Sequence, residues 1–184
     1  MAVVSVVIPV YNESESIERV SKALKAQDFK DMEVIFVVDN KTTDDSLAKI
    51  NELTRNLEDH LVMIQKDDGI LGGARNIGLD AARGKYVWFL DADDVPYPDF
   101  MSTMYRLAEE HGTDVCQCNF LRSWDADHPQ PDWDARIHVM TGQESLYHRA
   151  MEEIPVTAWS MLLRREFLLD NDIRFLIVSC CLMI

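Results

Sequence analysis

The sequence has no run of basic residues. Its 184 residues carry 18 Lys and Arg against 32 Asp and Glu, a formal net charge of −14. Binding a nucleic-acid backbone takes clustered Lys and Arg, so the balance argues against nucleic acid as a partner. A phosphate ligand stays open to such a chain if a divalent cation sits between the two. No apolar stretch approaches the ~20 residues that span a bilayer. The start, "MAVVSVVIPVYNE", has neither a basic n-region nor a cleavage site, so it does not read as a signal peptide. The four cysteines, Cys116, Cys118, Cys180 and Cys181, match neither zinc pattern built on two separated Cys-x-x-Cys turns, and read as reduced thiols of a cytosolic protein. No G-x-G-x-x-G follows the first apolar segment, which removes a dinucleotide oxidoreductase.

What is present has the composition of a soluble globular domain, 47% apolar and 27% charged, and is long enough for one real core. Residues 3–8 form a β-branched run ending at Pro9, the pattern of a strand buried on both faces. Asn12 and Glu15 are spaced as a capping box for a helix carrying Ile17, Val20 and Leu24. Residues 33–38 read as a second strand. Thr42 or Thr43 is then expected to cap a helix with the stripe Leu47, Ile50, Leu53 and Leu57. A short strand at 61–64, a helix carrying "GGARNIGLDAA" and a strand at 86–90 follow. Strands alternating with helices predict a parallel α/β sheet.

Beyond residue 112 the pattern loosens. Pro98 to His111 reads as a helix striped by Phe100, Met104 and Leu107, and 113–120 as a strand. Residues 122–136 read as a polar loop, Thr141 to Glu144 as a capping box, and "TAWSMLLRREFLLDN" as a strand running into a helix.

In parallel α/β sheets ligands bind beyond the carboxyl ends of the strands. "PVYNE", "DNKTTDD" and "DADD" all follow strands here. Asp91 and Asp93 stand two apart, so in extended chain their side chains lean to one side. A hard divalent cation would relieve their repulsion and bridge them to phosphate oxygens.

"VSVVIPVYNESESIERVSKAL", "EVIFVVDNKTTDDS", "GGARNIGLDAARGKYVWFLDADD" and "WSMLLRREFL" occur in the order found in family 2 glycosyltransferases, and residues 2 to about 175 resemble that family. The resemblance implies a GT-A type nucleotide-binding α/β/α sandwich with a mainly parallel central sheet. It implies one domain over 1–184, with a nucleotide-sugar-binding half at 1–112 and a partial acceptor-side half at 113–184. The implied activity is transfer of a sugar, with inversion, from a nucleotide-diphospho-sugar to a glycan or lipid-linked acceptor. UDP-sugar is the expected donor and Mn²⁺ or Mg²⁺ the cofactor.

By position, Pro9, Tyr11 and Glu13 would line the nucleoside pocket and Asp39 would accept from a uracil N–H. Gly72, Gly73, Arg75 and Asn76 match the family's Ala-Arg-Asn helix start, with Gly73 and Arg75 on the donor. Asp93 is the leading metal ligand, with Asp91 on the ribose or a metal-bound water. Asp94 would cap the next turn, and Trp159 would be core or acceptor wall. The family usually has Asp-Gly where Asn40 and Lys41 stand, which questions the turn after Asp39, since Lys tolerates positive φ poorly.

No Asp or Glu follows Asp172, where the family places its catalytic base, and after it only Arg174 is charged. The apolar tail reads as a truncation or shifted frame, or else as a short element packed on the sheet. Asp125, Asp127, Asp132 and Asp134 are the remaining candidates for a base, with no spacing to choose among them. The alternatives are a nucleotide-binding remnant without transferase activity and a sugar nucleotidyltransferase. The latter would want Gly, Arg or Lys directly after strand one, and "PVYNESES" has none. The expected setting is the cytoplasm, including the inner face of a membrane through peripheral contact. A homo-oligomer is compatible with the sequence.

Overall fold

The structure is a computed structural model that describes residues 2–55, 60–65, 71–119, 137–151, 153–154 and 157–176. Along the chain it forms β1 (Val4–Val10), α1 (Ile17–Ala26), β2 (Met32–Asp39), α2 (Ser46–Thr54), β3 (His60–Gln65), α3 (Leu71–Ala81) and β4 (Tyr86–Phe89). Then come α4 (Phe100–His111), β5 (Val115–Gln117), α5 (Gly142–Ala150), β6 (Met161–Arg164) and α6 (Arg165–Asp170). One sheet holds the strands in the order β3-β2-β1-β4-β6-β5. The first four are parallel; β6 runs antiparallel to both β4 and β5. The α/β architecture expected from the alternation is therefore present, with its parallel core in the first half of the chain.

β1 is buried along its whole length because both of its faces are covered. Val4, Val6, Ile8 and Val10 pack with Ile17, Val20 and Leu24 of α1 and Met101, Met104 and Ala108 of α4. Val7, Ile35, Val37 and Phe89 face Ala74, Leu79 and Ala82 on the other side. α3 lies close on that face: a Cβ at Gly78 would sit 2.2 Å from a Val7 methyl, so glycine sets the approach. Pro9 is tolerated inside this central strand for a specific reason. The Val7 carbonyl accepts from Leu90 N–H at 3.0 Å, and Pro9, two residues on, faces the same neighbour beyond the last β1–β4 pair. Its missing N–H leaves no gap in the ladder.

Several local expectations are corrected. Asn12 does not cap α1; the helix starts at Ile17 after Ser16. α2 starts after Asp45, not after Thr42 or Thr43. Its buried stripe is Ser46, Ile50 and Thr54, while Leu47 is exposed and Leu57 lies outside the described residues. In α4 the buried residues are Met101, Met104 and Ala108 rather than Phe100 and Leu107. The Thr141–Glu144 capping box is present, with Thr141 N–H donating to Glu144 Oε2 at 2.7 Å. Among the described residues Cys116 and Cys118 are free, and burial together with Cys116 pushes the Cys118 thiol up to about 11. No helix among the described residues is long and apolar enough to cross a membrane.

Candidate donor-binding site

β1, β2 and β4 are adjacent and parallel, so the segments after them meet at one edge. Tyr11 and Glu13 follow β1, Asp39 ends β2, and Asp91 to Asp94 follow β4. Tyr11 is 57% exposed, an aromatic face turned to solvent. Pro9 is instead buried within β1. Asp39 is 6% exposed, and its Oδ1 accepts from Lys41 N–H at 2.7 Å. That bond, with Thr42 N–H donating to the Asp39 carbonyl at 3.0 Å, closes the turn. Among the described non-glycine residues only Asn12 and Asp172 have positive φ, so Lys41 meets no backbone strain and the doubt over this turn is removed.

The loops after β1 and β2 are clasped together. Glu13 N–H donates to Ser46 Oγ at 2.8 Å, Ser14 N–H to Asp44 Oδ2 at 2.8 Å, and Thr43 N–H to Asn12 Oδ1 at 2.8 Å. Burial alone would raise the Asp44 pKa. The Ser46 hydroxyl and the Ser14 and Ser46 amides outweigh it and hold the carboxyl down at about 2. These contacts explain why Asn12 and Thr43 do not cap helices: their polar groups are spent between loops. The Asp44-x-Ser46 spacing was the available signal for a local turn. The partner across 30 residues left no trace in the sequence.

The acidic segment is a turn rather than extended chain, since Asp94 N–H donates to the Asp91 carbonyl at 3.2 Å. Asp91 and Asp93 therefore do not simply lean to one side as strand neighbours would. Asp91 is paired: Arg75 Nη2 donates to its Oδ1 at 2.7 Å. Asp93 is exposed, and its carbonyl accepts from Arg19 Nη2 at 2.9 Å. Asp94 is not seen as a side-chain cap. Burial, with Asp93 and Asp91 beside it, pushes its carboxyl up to about 6. Burial likewise raises Glu13, and Asp93, Asp44 and Asp91 add to that. Crowded carboxylates thus share this edge with Arg75, paired to Asp91, and with Arg19, on the Asp93 carbonyl. Gly73 is buried in the first turn of α3.

Among the described residues no three His, Cys, Asp or Glu side chains converge as a metal cage. Mg²⁺ and Mn²⁺ seldom need one: one or two carboxylates suffice, with phosphate oxygens and water completing the shell. Hard oxygen donors in an excess of negative charge fit such an ion. Trp159 is half-buried at the end of the chain segment that leads into β6. Its carbonyl accepts from Trp88 Nε1 at 2.7 Å, and both residues line a cavity of about 930 Å³ with Arg19, Asp94 and Phe100. Asp125, Asp127, Asp132 and Asp134 lie outside the described residues, as does the chain after 176.

A mostly parallel sheet with three polar strand ends at one edge is an α/β architecture of the GT-A type. Comparison with known proteins agrees: the glycosyl transferase family 2 model matches residues 5–172, and the chain belongs to that family. It is 32% identical over 183 residues to the glycosyltransferase EpsJ of Bacillus subtilis, covering 94% of this chain and 52% of EpsJ. It superposes on the 1–349 structure of TarS from Staphylococcus aureus with a TM-score of 0.79 at 28% identity, covering 96% of this chain and 50% of that one. TarS has also been solved with UDP-GlcNAc. A mannosyltransferase from Pyrobaculum calidifontis, solved with GDP-Man and Mn²⁺, matches with a TM-score of 0.70 at 19% identity, over 95% of this chain and 47% of that one. That likeness speaks for the fold alone. The chain spans about half the length of curated relatives such as EpsJ.

Proposed function

We propose that this chain carries the donor-binding half of an inverting sugar transferase that takes a UDP-sugar and passes its sugar to a glycan or lipid-linked acceptor. The observation that carries this reading is the crowding of Glu13, Asp91, Asp93 and Asp94 beside Asp39 and Arg75 at the carboxyl edge of three parallel strands. Tyr11 offers a face for the base. Asp39, its Oδ1 committed to the turn, offers its other oxygen to a uracil N–H. Asp93, with Asp91 beside it, would hold Mg²⁺ or Mn²⁺, whose chemistry when bound is to neutralise the diphosphate as it departs. Residues 1–112 are read as the donor half and 113–184 as part of the acceptor side, with Trp159 and the cavity next to Asp94 as its wall. The relative TarS, a poly(ribitol-phosphate) β-N-acetylglucosaminyltransferase, supports the class of reaction.

The test is calorimetric titration with UDP, GDP and ADP, each with Mn²⁺ and with excess EDTA. UDP is expected to bind in Mn²⁺ and to lose most of its affinity in EDTA. Asp93→Ala should abolish the gain from metal while leaving the melting temperature unchanged. Equal UDP binding in EDTA would show that the carboxylates do not work through a cation.

A further inference from the structure

The Asn of the Ala-Arg-Asn motif spends its side chain on the backbone of Phe175. Asn76 uses its side-chain amide as a two-way clamp: Nδ2 donates to the Phe175 carbonyl at 3.0 Å, and Oδ1 accepts from Phe175 N–H at 2.9 Å. The neighbours of both residues extend the contact. Arg174 pairs with Asp80 at 3.0 Å. A Cβ on Gly72 would stand 2.6 Å from the Leu176 carbonyl. Gly72, Asn76 and Asp80 are spaced four apart, one stripe of α3. Residues 174–176 run along that stripe as a strap, in the direction opposite to the helix. The strap is aimed by the end of α6, where Asp172 adopts φ 49° and Ile173 N–H donates to the Leu168 carbonyl at 2.8 Å.

The strap delivers one ring to Arg75. Phe175 packs edge-on against Phe89, with centroids 4.9 Å apart, and the Arg75 guanidinium lies 5.2 Å from the Phe175 centroid. Arg75 is thereby held between an aromatic face and the Asp91 carboxylate. Its side chain is 12% exposed, and its Nε is buried with no hydrogen-bond partner among the described residues. A free arginine loses rotamer freedom on binding an anion or a base; one already clamped loses less.

We infer that Asn76 and Phe175 are positioning residues that pre-set Arg75 for the nucleotide, and that the strap at 174–176 is part of the donor site. This rests on the donor-binding role proposed above. Asn76 holds the strap, the ring of Phe175 fixes the guanidinium plane, and Arg75 alone meets the ligand. Gly72 has no side chain because the strap occupies its place.

The test is a double-mutant cycle on the 184-residue chain, read as UDP affinity in Mn²⁺. Phe175→Leu and Asn76→Ala are each expected to weaken UDP about tenfold, the effect of one moderate interaction. Phe175→Tyr, which keeps the ring face, should retain wild-type affinity. In an Arg75→Ala background Phe175→Leu and Asn76→Ala should have no further effect, because they act through Arg75. A role in folding only would instead give losses that add in that background, or melting shifts without an affinity change, and either overturns the inference. If Phe175→Leu does not fold, the Asn76→Ala arm decides the outcome by the same cycle. Wild-type affinity in Arg75→Ala itself would remove Arg75 from the donor site, and this inference with it. A strong loss there with none in Phe175→Leu or Asn76→Ala would overturn the positioning role alone.

Discussion

Asp39 is the side chain proposed above to meet the nucleotide base. It ends a buried strand and is almost entirely covered, yet one of its oxygens is spent on the turn that follows. The same bond closes the turn with Lys41 where a left-handed glycine would otherwise be expected. Asp39→Ala is expected to weaken both UDP and uridine by about 1–3 kcal/mol, the cost of leaving a buried polar partner unpaired. In the proposed role Asp39 serves the base and not the diphosphate, so the loss should be the same in Mn²⁺ and in EDTA. Titration of uridine, which carries no phosphate, isolates the effect. A loss seen with UDP but absent with uridine would move Asp39 away from the base.

The elements divide the work between the two ends of the sheet. At the carboxyl end lie the loops proposed to carry the ligand groups, and the Asn12–Thr43 and Ser14–Asp44 contacts tie those after β1 and β2 together. At the other end a buried carboxylate ties strands to the α3–β4 connection. Glu33 is 2% exposed; its Oε1 accepts from Ser5 Oγ at 2.6 Å and from Arg83 N–H at 2.7 Å, and Oε2 from Arg83 Nε at 2.8 Å. Burial acts to raise this carboxyl, but the Ser5 and Arg83 hydrogen bonds and the Arg83 charge win and lower it. A lowered folded pKa contributes stability that is present above the unfolded value of about 4.3 and is lost as pH falls through the folded value. Glu33→Gln should therefore cost about 2 kcal/mol at pH 7, within the range for hydrogen bonds to a charged group. Urea unfolding across pH should show the wild-type advantage shrinking below about pH 4. An advantage that persists undiminished at pH 2 would mean that the charge of Glu33 contributes nothing.

For the whole molecule the question is how far donor binding and sugar transfer separate. The groups proposed to bind the donor lie between Pro9 and Phe175, and the chain spans about half the length of the curated relatives it matches. General-base help is worth roughly 10²–10⁴-fold, and acceptor positioning adds to it. This chain on its own is therefore expected to bind UDP-sugar and to hydrolyse it slowly, while transferring sugar poorly across an acceptor panel. Parallel hydrolysis and transfer assays on one preparation decide this. Transfer at ordinary enzyme rates would redirect attention to Asp125, Asp127, Asp132 and Asp134 as the base.

The sequence by itself determined the order of elements, the parallel core, and the three polar segments at strand ends. These depend on local periodicity and composition, which a chain carries within a few residues: β1 reads as buried because seven neighbours agree on it. It also marked Arg75, Asp91 and Asp93, through short motifs at strand and helix ends. Tertiary structure alone decided what those groups touch. Asn12 left its helix for Thr43, Asp91 turned to Arg75, and Asn76 took hold of Phe175, 99 residues away. It also decided that β6 runs antiparallel beside β4, since strand direction is not written in a residue pattern. A polar side chain can satisfy itself locally or across the fold. Only the packed chain, which decides which of these excludes more water, settles the choice.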